Sequence, residues 1–361
     1  MRRIPLLPAL LLLAGGLALI GCSRQYPNNP PQLFWFEDLT WNQIVDRATR
    51  ENRPIFVDFY ATWCAPCKML DDSVYVVPEV MNELRDFVTF RVDVDDPEYA
   101  DLKDAFHIFN MPTLVLCHPD GSEIDRFLGY RPAPEFLQIV RDYRAGRNTL
   151  ADVEARLAEH PDDVQLLLAA GTKHAQRLDE ALARTQLARV LDLDSRNEQG
   201  MAAPALDALA ELEWKLGDYD SAIATYRRLM AEFPGTAEAK AALGMIAYCQ
   251  RRQGDNAGMI ATYREMVSQN PEDVGTLNRF AWNAAKAGVA LEEATDMALK
   301  AVALSDEEAG VMDTLAEVYY ARGMYPEAIS WIRKAIAKEP DDKYLQDQLA
   351  KFEKAAQEGQ P

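Results

Sequence analysis

Cysteine is scarce in this chain: five among 361 residues, too few for a small scaffold stapled by disulfides. Histidine is scarcer still, and His107, His118, His160 and His174 are scattered with no ligand spacing, so neither a metal site nor any cofactor is expected. Positive charge is in deficit, with 38 Lys and Arg against 57 Asp and Glu and a formal net charge of −19. That balance argues against a nucleic-acid partner, because phosphate binding needs a basic surface. Long apolar runs are absent except near the N-terminus, where the stretch from Ala9 to Ile20 is short for a span of ~20 residues. The remaining composition, 48% hydrophobic over 361 residues, supports more than one buried core and two or three domains.

The N-terminal stretch has the layout of a secretory leader: Arg2 and Arg3, the apolar run, then Leu19-Ile20-Gly21-Cys22. Its end resembles the bacterial lipobox, in which the cysteine becomes the lipid-modified first residue of the mature chain. The expectation is a signal peptide over residues 1–21, lipid attachment at Cys22, and a tether over 22–32 whose Pro27, Pro30 and Pro31 allow neither helix nor strand. A cleaved leader with an unmodified cysteine is the alternative. Ser23, not being Asp, implies the outer membrane under the sorting rule that goes with the lipobox. The expected location is thus the periplasm-facing side of a bacterial envelope.

With Cys22 set aside, Cys64 and Cys67 form the one close pair, and Cys117 and Cys249 are read as small buried hydrophobes. The pair follows a β-branched and aromatic run, Ile55 to Tyr60, and precedes a segment of helical character, so it lies at a strand-to-helix junction. Cys64 would then start a helix, where unpaired N–H groups and the helix dipole favour a thiolate. Cys67, one turn on, is in reach of a mixed disulfide on Cys64 and is placed to release the partner. Pro66 suits an early helical position, which needs no N–H donor.

Around the pair, apolar spacing predicts a helix over 41–51, a helical piece over 76–84, a strand over 87–94 and a short helix over 101–106. A strand over 113–117, a turn at Asp120-Gly121, a return strand over 123–128 and a helix over 134–143 complete one α/β domain. This segment, residues 33–147, resembles the thioredoxin superfamily, and within it the C-terminal domain of the DsbD type of thiol:disulfide interchange protein. The matching residues are Arg53-Pro54, Val57-Asp58-Phe59-Tyr60-Ala61, Trp63-Cys64, Cys67-Lys68, Pro78-Glu79-Val80 and Met111-Pro112-Thr113. Inside the motif, Ala65-Pro66 is closer to thioredoxin itself.

The resemblance implies a reversible Cys64–Cys67 disulfide, a cis peptide bond at Pro112, and a catalytic set of Cys64, Cys67, Asp58 and Pro112. It further implies that Asp58 is a buried carboxylate poised to take the Cys67 proton, the alternative being a strand-end carboxylate facing solvent. Substrate contact is expected through Trp63, Ala65, Pro66 and Met111, the last by backbone pairing with an added strand.

Beyond Gly146 the composition turns to Ala, Leu, Glu and Arg, and the sequence repeats itself. Gly217-Asp218 and Gly254-Asp255 stand 37 residues apart, Ile223-Ala224-Thr225-Tyr226-Arg227 recurs as Ile260-Ala261-Thr262-Tyr263-Arg264, and Pro234 and Pro271 keep the same offset. These units resemble the tetratricopeptide repeat, whose period is ~34 residues. The expected array spans 148–342, with units near 164–197, 203–236, 240–273, 274–307 and 309–342. A capping helix and tail follow over 343–361. Ala222, Gly244, Ala281, Ala316 and Ala328 are read as helix-crossing positions of the core.

The expected architecture is therefore an α/β thioredoxin fold followed by an all-α repeat solenoid. The expected function is an envelope thiol:disulfide oxidoreductase that reduces disulfides of partner proteins, served by an upstream thiol electron donor. A membrane contact through lipidated Cys22 and a protein partner on the repeat groove complete the expected partners. The alternative is a chaperone or assembly scaffold of thioredoxin–repeat type in which redox activity is secondary.

Overall fold

The computed structural model describes residues 33–358; the signal peptide expected over 1–21, the lipid attachment expected at Cys22, the expected tether over 22–32 and the last three residues lie outside the described residues. In chain order the first unit contains α1 (Trp41–Glu51), β1 (Ile55–Tyr60), α2 (Ala65–Ser73), α3 (Pro78–Leu84), β2 (Val88–Asp93), α4 (Ala100–Ala105), β3 (Thr113–Cys117), β4 (Glu123–Leu128) and α5 (Ala133–Arg144). The sheet order is β2-β1-β3-β4, with β1 parallel to β2 and antiparallel to β3, and β3 antiparallel to β4.

Strand β1 is central, and five of its six residues are buried. Alternation along it sends Ile55, Val57 and Phe59 toward Ile44 and Ala48 of α1 and Leu102 of α4, while Phe56 meets Leu70, Leu84 and Phe136 from α2, α3 and α5. The sheet is thus sandwiched between two helical layers. Helix α1 starts at a capping box: Gln43 N–H donates to Thr40 Oγ1 at 3.4 Å, and Thr40 N–H donates to Gln43 Oε1 at 2.9 Å.

The second unit opens with α6 (Leu150–Glu159), a helix ahead of the first repeat that the repeat pattern did not predict. Five helix pairs follow: α7 (Val164–Gln176) with α8 (Glu180–Leu193), α9 (Ala202–Lys215) with α10 (Tyr219–Glu232), α11 (Ala237–Gln253) with α12 (Asn256–Gln269), α13 (Val274–Ala287) with α14 (Leu291–Leu304), and α15 (Ala309–Ala321) with α16 (Tyr325–Lys338). Helix α17 (Lys343–Glu358) closes the stack, burying Leu345 and Phe352. Gly217, Gly254, Gly288 and Gly323 make the turns inside the last four pairs with φ between 68° and 83°, where only glycine is free of steric cost. The first pair lacks that glycine, and Leu178 takes φ 60° in its place.

The core reading of the small residues holds for Ala222, Ala281, Ala316 and Ala328, which are fully buried. Gly244 is a correction: a Cβ built there meets nothing within 4 Å. The tight crossing is at Gly171 instead, where a Cβ would lie 2.7 Å from Leu187 Cγ and 3.3 Å from its backbone nitrogen.

The two units are joined through β4. Asp125 is fully buried, and its carboxylate accepts from Leu150 N–H at the start of α6 (2.7 Å), Lys173 Nζ (2.7 Å) and Arg177 Nη2 (2.6 Å). Arg177 also meets Glu123 at 2.6 Å, and Lys173 Nζ donates to Tyr143 Oη at 3.1 Å. A buried carboxylate is tolerated when it is answered by cations and a helix N-terminus, as here.

Candidate active site

Helix α2 begins where β1 ends, and Cys64 is its N-cap. Cys64 and Cys67 are disulfide-bonded, and the Cys67 N–H donates to Cys64 Sγ at 3.2 Å. Both cysteines are buried, whereas the flanking Trp63, Ala65 and Pro66 are exposed, Trp63 by 66%. The Trp63 indole is held to one side by its Nε1–H, which donates to Asp95 Oδ2 at 2.5 Å. An exposed aromatic beside a sheltered disulfide leaves an apolar landing surface for a partner chain.

The Met111–Pro112 bond is cis. Met111 packs on the apolar cluster that contains Cys64, Cys67 and Phe59, and Thr113 pairs with Phe59 near the end of β1, so the loop before β3 lies at the same edge of the sheet as the pair. The loop is tied at its far end by Thr113 Oγ1–H to Asn110 O, 2.6 Å.

Asp58 is fully buried, which removes the solvent-facing alternative. Burial, the largest effect, raises its pKa to about 7; Arg91 opposes this and Asp71 adds to it. Arg91 is the functional neighbour that sequence reasoning missed. Its Nε lies 3.3 Å from Asp58 Oδ2, and its Nη2 donates to Asp71 Oδ2 on α2 at 2.8 Å. The guanidinium also stacks on Tyr60 at 4.0 Å and faces Trp35 at 5.6 Å. The available signal was the one basic residue in its strand, flanked by Phe90 and Val92, and the β1–β2 register places it opposite Asp58. Tyr75 shares this pocket, and burial beside Asp58 pushes its hydroxyl well above the usual phenol range.

Cys117 and Cys249 are free, fully buried and far from nucleophilic. Burial drives the Cys117 thiol strongly upward and the Cys249 thiol up to about 11.

A disulfide at a helix N-terminus, a cis-proline loop beside it and a buried carboxylate on the adjacent central strand define a thioredoxin-like dithiol site. Residues 41–144 match the model of the thioredoxin-like domain, and residues 208–274 and 312–344 match tetratricopeptide-repeat models. A thioredoxin of Listeria monocytogenes is 32% identical over 89 residues, covering 25% of this chain and 82% of that protein. Chloroplastic thioredoxin Y2 of Arabidopsis thaliana is 34% identical over 103 residues, covering 28% of this chain and 59% of the relative. The thiol:disulfide interchange protein DsbD of Pseudomonas fluorescens is 32% identical over 107 residues, 28% of this chain and 18% of that one. The chain belongs to the thioredoxin family through its N-terminal unit, and continues as a tetratricopeptide-repeat array. It spans less than two thirds of the Arabidopsis relative, and a small part of DsbD.

Proposed function

We propose that the protein is an envelope thiol:disulfide oxidoreductase that reduces disulfides of partner proteins, with the repeats holding the partner. The observation that carries this reading is the Cys64–Cys67 pair at the N-terminus of α2, flanked by the Met111–Pro112 loop. In the reduced protein the Cys64 thiolate attacks one sulfur of a partner disulfide, and the other partner sulfur leaves as a thiolate that takes a proton from water. Cys67 then gives its proton toward Asp58 and attacks Cys64 Sγ. The second partner thiolate is released, and two electrons have passed from the pair to the partner. An upstream thiol donor restores the pair.

Asp58 suits the proton step because a carboxyl with a pKa near 7 exchanges protons at neutral pH. The reducing direction is supported by Ala65-Pro66, the thioredoxin-like filling of the motif. Envelope location and lipid attachment at Cys22 rest on the leader pattern of residues 1–22, and the preference for the outer membrane rests on Ser23.

Trapping tests the reading. Cys67→Ser stops the second step, so disulfide-linked adducts of Cys64 with partner proteins accumulate and dissolve on adding reductant. A Cys67→Ser protein whose Cys64 reacts with iodoacetamide yet captures no protein would refute exchange with proteins. Direction is read separately from the Cys64–Cys67 potential. The proposal expects a value nearer about −270 mV than about −120 mV, the span between thioredoxin and a strong oxidant.

A further inference from the structure

The segment that leads into Pro112 touches the repeats. Asn110 Nδ2 donates to Glu211 Oε1 of α9 at 2.9 Å, and the Phe109 ring meets Trp214 of the same helix edge-on, centroids 5.9 Å apart. Between Phe109 and the inner helices α9, α11 and α13 lies an open pocket of about 480 Å3. Trp214, Met245, Tyr248 and Tyr263 supply apolar wall, and Ala241 and Gly244 leave bare backbone along α11. With nothing within 4 Å of a Cβ built at Gly244, a ligand main chain has room to approach the helix closely.

The charge of this pocket runs against that of the molecule. The chain carries −19 overall, yet the lining contains Arg251 and Arg279 and no carboxylate. Both guanidiniums are exposed. Arg251 stacks over Tyr248 at 5.4 Å, Arg279 Nε donates to Gly275 O at 3.2 Å, and neither is paired with a carboxylate among the described residues. The nearby Glu211 is answered by Lys215 at 3.1 Å as well as by Asn110. A neighbouring pocket of about 580 Å3, sharing Phe109, Trp214 and Tyr248, adds Lys103 and Arg252 against the single carboxylate of Asp104; its Lys215 is the one paired with Glu211.

We propose that the loop before Pro112 and the inner face of α9, α11 and α13 form one docking groove for an extended segment of the disulfide-bearing partner, a segment that carries carboxylates beside aromatic or aliphatic side chains. The cystine of that segment rests on the oxidoreductase reading above; the groove and its charge preference do not. Aromatic walls bury the apolar side chains, the two arginines take carboxylates in charge-assisted hydrogen bonds, and the loop presents the same chain to Cys64.

The test uses the full-length Cys64→Ser/Cys67→Ser protein, which binds without exchanging. Two fluorescein-labelled synthetic peptides are titrated onto it, each with phenylalanines around a central serine, one rich in glutamate and the other with lysine at those positions. The glutamate peptide is expected to bind about tenfold tighter or better, with a steep salt dependence. Arg251→Gln/Arg279→Gln is expected to erase that preference. Gly244→Leu, which adds a side chain in open space and leaves both charges, is expected to block either peptide. Equal binding of the two peptides, or a preference that survives Arg251→Gln/Arg279→Gln, would overturn the proposal. So would a dimer in sedimentation that Gly244→Leu dissociates, because the occupant would then be a second copy. Reduction of hydroxyethyl disulfide by the unaltered protein is measured separately: its absence sinks the oxidoreductase reading and leaves the groove to be judged on the titrations.

Discussion

At the scale of single residues the decisive group is Asp58, a carboxylate with no surface open to solvent. Its pKa is about 7 in the folded protein against 3.8 as the ordinary value, with burial the first cause. A raised folded pKa means that the stabilising contribution is present below about pH 4 and is lost as pH rises through 7, since the folded state must then hold a buried charge. Asp58→Asn should therefore stabilise the protein at pH 8 by up to about 4 kcal/mol, and the gain should vanish near pH 4. Urea melts at the two pH values check this; an equal effect at both would show that the carboxylate is not the cause. The same variant should remove the rise in mixed-disulfide release through pH 7. Asp58 was legible through the resemblance that Val57-Asp58-Phe59-Tyr60-Ala61 carries, and its burial through the apolar neighbours Val57 and Phe59. Arg91 was not, because a partner across two strands depends on register, and a single-chain pattern carries no register between strands that pair in parallel.

At the scale of elements, most helices and strands were legible to within a residue or two, because each carries its own period and its own stop signals. The observed β1, β3 and β4 share the expected bounds, and each of the five helix pairs answers to one expected repeat unit, with α9 starting one residue and α11 three residues ahead of theirs. What the repeat pattern could not mark was α6, which belongs to no repeat and is defined by its capping Thr149 and by Asp125 at its N-terminus. Close approach between helices was equally illegible, since a small residue looks the same whether another helix or solvent faces it. Gly171 and Gly244 separate the two cases. Gly171→Ala forces the buried Leu187 and α8 aside and should cost about 1–3 kcal/mol. Gly244→Ala meets open space and should gain about 1 kcal/mol from helix propensity. Thermal melts of the two variants should move in opposite directions, and a loss at both positions would contradict the placement of α11.

At the scale of the molecule the question is how two units act as one. The sequence showed two domains and a boundary near residue 147, but it gave no sign that they are locked, because the locking residues are ordinary charges of both units. Asp125 of β4 is answered by Lys173 and Arg177 of the repeats and by the start of α6. Asp125→Ala leaves those two cations without their shared partner and should cost about 3 kcal/mol or more. Limited trypsin digestion gives a sharper readout: cleavage after Arg144 or Arg147, slow in the unaltered chain, should speed up in Asp125→Ala and yield the two units as fragments. Unchanged digestion would mean that the units are held by other contacts. The clamp matters for chemistry as well as for stability. A flexible linker would let a captured chain wander through a volume set by linker length, whereas β4 and α7 fix the inner repeat helices against the loop before Pro112. If the proposed docking holds, a disulfide on a chain seated there would meet Cys64 at an effective concentration on the order of millimolar, however dilute the free partner is. Exchange with such a partner would then proceed as if within one molecule.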